Sequence, residues 1–208
     1  MNLLRFQRRY TMEGIFFLFS AWAITLHAQQ AGTVLVFYAQ PRVSEDMWQP
    51  LFQILQADLY DQAQLPKGIA LDQSAAFVRG SDALQGLTFS RIISVKLLGR
   101  CDVLPQINRP SFNGPLGWVM MVSGKIQPFV SIDCTRIAQV LRPAVPGLNK
   151  QERQDVMLQA IAHVLIHEWS HIVSQSPAHT PRGVTQAELS VRELIAAPKS
   201  VHLAAIRH

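Results

Sequence analysis

Charge is scarce in this sequence: only 16% of its 208 residues are Asp, Glu, Lys or Arg, against 49% hydrophobic. That balance excludes a disordered tail. The 11 glycines and 12 prolines follow no collagen-like period, and the longest mainly apolar run has about twelve residues, too short for a multi-span membrane protein. Long basic runs are missing too. Arg5, Arg8 and Arg9 stand against Glu13 near the N-terminus, and the other basic residues are scattered from Arg42 to Arg207. The formal net charge of +5 is therefore not concentrated in a patch, and no nucleic-acid partner is expected.

What the N-terminus has is a targeting pattern. Three arginines precede the apolar residues 15–26, and His27-Ala28-Gln29 supplies a small residue at a cleavage position. Residues 1–28 are expected to be a secretory signal peptide, cut after Ala28, which leaves Gln29–His208 as one domain with no stable membrane span. Leu26, three residues before the cut, is not ideal, so an uncleaved anchor stays open as an alternative. Export, whether to a periplasm or out of the cell, would place the only two cysteines, Cys101 and Cys134, in an oxidising compartment, and a disulfide between them is expected. No sequence feature specifies an oligomer.

Along the mature chain, Thr33–Tyr38 is a β-branched and aromatic run that suits a buried strand. Residues 44–61 place Met47, Leu51, Ile54, Leu55 and Leu59 at helical spacing, with Pro50 marking a kink or the first turn. Residues 62–88 give no assignment beyond a turn of helix near Ser81–Gln85. Phe89–Leu98 alternates with the period of a half-buried strand, and a proline-rich loop, 104–117, follows. Residues 118–122 and 126–133 read as a hairpin around Ser123-Gly124-Lys125; Pro128 puts its second strand at a sheet edge or a bulge. A brief helix at 135–141 ends before Pro143.

The surest helix starts at Asn149, whose spacing to Glu152 is that of a capping box, and runs to about Val173 with an apolar helical period. It contains His167-Glu168-Trp169-Ser170-His171. Two histidines four residues apart share one helix face and can chelate one metal ion, and Glu168, about 100° round the helix, can take a proton from a metal-activated water without being a ligand. With 7 histidines in the chain, a His-Glu-x-x-His pattern would arise by chance roughly 0.007 times. His163, one turn earlier, is a candidate for orienting a ligand from behind, or a satisfied buried histidine. Trp169 is expected in the core, and Ser170 has no supporting base as a nucleophile.

These residues resemble the active-site helix of the zincin superfamily of zinc metallopeptidases. The order upstream, a strand, a helix, further strands with an edge hairpin and then the motif helix, is similar as well. The chain is also similar to small uncharacterised secreted bacterial proteins with this motif near their C-terminus. The resemblance implies an α+β fold in which a mixed or antiparallel sheet, with an edge hairpin, packs on the active-site helix. It implies Zn2+ held by His167 and His171, Glu168 as general base, and a peptide or protein substrate held extended along the edge hairpin at 118–133.

The metzincin branch is not matched, since Ser174 and Pro177 stand where glycine and histidine are required and no methionine follows Met157. The preferred third ligand is His179, bracketed by Pro177 and Pro181 in a turn that could fold back on the metal. Glu193, on a last helix as in gluzincins, is the alternative; Glu188 is explained by a capping box with Thr185. The function expected is a secreted zinc-dependent peptidase. The alternative is a non-catalytic exported binding protein on a zincin-like scaffold, with a structural or silent metal site; four protein ligands, His179 and Glu193 both included, would favour it.

Overall fold

The apolar run after Gly32 forms β1 (Ala31–Ala39) in the computed structural model, which describes residues 31–39, 43–60, 69–80, 84–85, 88–103, 114–179 and 187–196. The expected signal peptide lies outside the described residues. Leu35 and Phe37 face one side of β1 and Val34 and Val36 the other, and all four are buried, which is why the run is continuous and does not alternate. A single 3-10 turn, Glu45–Met47, leads into α1 (Trp48–Tyr60). Pro50 lies in the first turn of α1, where no backbone N–H is required, so the helix is not kinked there.

β2 (Ala76–Arg79) pairs parallel with β1 on one side, and β3 (Phe89–Leu98) pairs parallel with it on the other. β4 (Gly117–Val122) and β5 (Lys125–Asp133) form the hairpin. Its two-residue turn holds Ser123 at φ 49° and Gly124 at φ 76°, the left-handed pair that matches strand twist. The fold is α+β, with one mixed five-stranded sheet in the order β2-β1-β3-β5-β4; only β4 runs antiparallel to its neighbour. Pro128 is thus not on the edge strand. It falls in a register shift between Val119–Val130 and Met121–Ile126, and β3 pairs with β5 only from Phe129 onward, so the missing N–H breaks no ladder bond with β3. Residues 120–128 consequently form a two-stranded finger that has left β3, while residues 89–93 of β3 continue beside β1.

Cys101 and Cys134 form the expected disulfide, tying the chain just after β3 to the first residue of α2 (Cys134–Leu141). α3 (Lys150–Ser174) opens with both halves of the Asn149–Glu152 capping box and is buried around nearly its whole circumference from Met157 to Ile172. It packs on β4, β5, α1 and α2 and is the spine of the core. No helix among the described residues is long and apolar enough to cross a membrane. The last helix, α4 (Val191–Leu194), begins later than expected: its capping box is Ser190 with Glu193, whereas Glu188 lies in a bend before it.

Candidate metal centre

His167 and His171 project from one face of α3 with their Nε2 atoms 3.0 Å apart. The helix stops at Gln175, whose left-handed backbone (φ 51°) turns the chain back across its own last turn. Gln175 holds that turn by donating from Nε2 to the carbonyls of Ile172 and Ile126, at 2.9 and 3.1 Å. The reversal brings the Ser176 carbonyl 2.7 Å from His171 Nδ1. A carbonyl only accepts, so Nδ1 carries the proton and the lone pair of His171 sits on Nε2, facing His167. Three residues on, His179 stacks over His167 (ring centroids 5.2 Å, 29° between planes) and meets His171 edge-on at 4.9 Å.

The three imidazoles form the one cluster of metal-capable groups found among the described residues, their ligand atoms all within 4.8 Å of one another. Zn–N bonds of about 2.0–2.1 Å in tetrahedral directions put ligand nitrogens about 3.3–3.4 Å apart. The pair on the helix is already near that spacing, and the exposed His179 has room to close the remainder. Partial burial, and then the neighbouring His171 ring, hold His179 below the usual histidine pKa, in the neutral form that a metal requires. The donor set fits zinc; three imidazoles also suit copper, iron or nickel.

Glu168 points to the same place from the next position. Its Oε1 lies 4.0 Å from His167 Nε2, close to the cluster but not part of it. Burial alone pushes its carboxyl up to about 7. Gly117, the first residue of β4, leans on it: a Cβ there would come within 2.6 Å of Val164 Cγ1 and 3.1 Å of Glu168 Oε1. A cleft of about 330 Å³ opens over the cluster, walled by β4 on one side and by Ile126, Val164 and Leu189 elsewhere. β4 hydrogen-bonds only to β5, so its outer edge has no strand partner among the described residues.

Other sequence candidates have different places. Both nitrogens of His163 are engaged away from the cluster: Nδ1 donates to the carbonyls of Glu193 and Leu194 at 2.8 and 3.1 Å, and Nε2 faces the Gln159 amide at 3.0 Å. It ties α4 to α3. The Glu193 carboxylate accepts from the backbone N–H and hydroxyl of Ser190, at 2.8 and 2.7 Å, as the cap of its own helix. Ser170 donates to the His167 carbonyl, and Trp169 is fully buried. Reading the sequence did not find Gly117, Gln175 or Leu189. Gln175 could not have been found, because its role rests on a left-handed turn where no glycine stands.

No protein-family model, curated protein or solved structure matches this chain.

Proposed function

We propose that this protein is an exported zinc-dependent hydrolase, acting on peptide bonds, with His167, His171 and His179 as the metal ligands and Glu168 as general base. The observation that carries the reading is the buried Glu168 carboxyl 4.0 Å from a nitrogen of the histidine cluster, in a cleft walled by a strand edge that has no strand partner among the described residues. Zinc, when bound, would polarise a carbonyl and acidify a water in that cleft. Glu168 would accept the proton of the attacking water on its carboxylate and return it to the leaving amine. The outer N–H and C=O groups of β4 would pair with an extended peptide, fixing it beside that carboxylate. The zincin resemblance of the motif agrees with such an edge strand.

Three ligands leave a tetrahedral metal one position for water. The engagement of Glu193 in its own helix cap speaks for that count and removes the four-ligand site that would have favoured the non-catalytic alternative. The buried disulfide agrees with export. The test is elemental mass spectrometry together with a peptide-library assay on wild type and Glu168→Gln. The reading expects about one zinc per chain in both proteins, and cleavage by the wild type only. Zinc-free wild type, or equal turnover in the variant, would refute it.

A further inference from the structure

Strand alternation and register divide the sheet into two faces. Ile93, Val95, Val130 and Ile132 face the helices. The opposite face carries six of the seven large hydrophobic residues exposed among the described residues: Tyr38, Ile92, Trp118, Met120, Val122 and Phe129, each 39–51% exposed. Surface apolar residues are ordinarily scattered; gathered on one face they mark a contact surface. Lys96, paired with Tyr38, and Lys125, paired with Val122, lie on the same face, both exposed. The only carboxylate at an outward position of β1, β3, β4 or β5 is Asp133, which is half-buried and bound to Arg136 at the head of α2.

We infer that this face, led by the β4–β5 finger, docks on an anionic phospholipid surface. Two aromatic residues with a polar handle, apolar side chains between them and lysines at both ends match the layering of a bilayer interface, where apolar groups enter the acyl boundary and amines reach phosphate. A second copy packed face to face would bring four lysines together without a free carboxylate to meet them, whereas lipid phosphates supply the missing negative charge. The finger suits lipid also by shape. Met120 and Val122, each 51% exposed, stand where the hairpin has left β3 and pairs with no other strand among the described residues, so headgroups can close around them. Near its tip the finger is held to the end of α3, where Gln175 donates to the Ile126 carbonyl.

Co-sedimentation of the exported protein with mixed phosphatidylglycerol–phosphatidylcholine vesicles, and with phosphatidylcholine alone, tests this. The N-terminus is read by intact mass, since any retained apolar run at 15–26 would bind lipid equally in every variant. The expected result is binding to the anionic vesicles that weakens about tenfold or more in Met120→Asp/Val122→Asp. Lys96→Glu/Lys125→Glu, changed at exposed positions, should lose the preference for anionic over neutral vesicles, again about tenfold. No binding by the wild type, or equal binding by both variants, overturns the proposal. So does a wild-type dimer that Met120→Asp/Val122→Asp makes monomeric, which would assign the face to a second copy. None of these readouts depends on metal or hydrolysis.

Discussion

Gly117 and Glu168 touch so closely that a single methyl group on the glycine would fall 3.1 Å from the glutamate's Oε1 and collide with Val164. Gly117→Ala must therefore move either the edge strand or the carboxyl. The expected loss of stability is about 1–3 kcal/mol, as for an overpacked core site, read by thermal unfolding. Hydrolysis should fall by about a hundredfold if the carboxyl shifts by 1 Å, with zinc retained. Gly124→Ala is the control: its added methyl meets open space, so only the strain of the left-handed turn should appear.

The proposed ligand set makes a second prediction. His171→Ala and His179→Ala should each lose zinc by more than the roughly 10–100-fold that losing an outer support costs, measured by titration against a chelator. Glu193→Gln, which can keep the Ser190 cap, should bind zinc like the wild type. The reverse pattern would transfer the third position to Glu193.

Glu168 sets a pH dependence in the metal-free protein. Its folded pKa, about 7, lies above the ordinary 4.5, so the folded state holds the proton more tightly than the unfolded chain. Its contribution to stability is complete below about pH 4.5 and is lost as pH rises through 7, by roughly 3 kcal/mol in all. Chelator-treated wild type should therefore lose stability relative to Glu168→Gln across that interval. Added zinc, a cation beside the carboxylate, should release the proton and flatten the difference. A difference that does not change with pH would contradict the burial argument.

His163 titrates with the opposite sign. Burial pushes its pKa below the usual 6.5, although the carbonyls of Glu193 and Leu194 pull it up. Asp58, 3.8 Å from Nε2, and the Gln159 amide are its other polar neighbours. Stability from the neutral ring is present above about pH 6.5 and is lost as pH falls through the lower folded pKa. The gap in melting temperature between wild type and His163→Gln should be widest near pH 7.5 and narrow toward pH 5. A constant gap would mean that the ring does not titrate in that window.

Much of this architecture can be read from residue order, and the exceptions share a cause. β3 was legible because Ile93, Val95 and Leu97 alternate with polar neighbours, and α3 because the Asn149–Glu152 box fixes its start. β2 was not: four residues on the outermost strand, none of them fully buried, carry no period to detect. The final capping box was misplaced because Thr185-x-x-Glu188 and Ser190-x-x-Glu193 have identical spacing, and only the packing of Leu194 into the core selects the second. His163 had the right helical phase for the metal face, but which neighbour fills that face depends on α4, thirty residues away. His179 was proposed from its flanking prolines. The structure brings it to the cluster by another device, the Gln175 reversal.

The bridge between Cys101 and Cys134 closes a loop that contains the whole β4–β5 hairpin, with 33 positions separating its ends. A protease that cuts anywhere inside that loop would leave two fragments still joined by sulfur, with the strand edge beside the histidines held to the sheet. Such a nicked molecule would migrate as one species under non-reducing conditions and as two after reduction, and reduction would free the pieces to part.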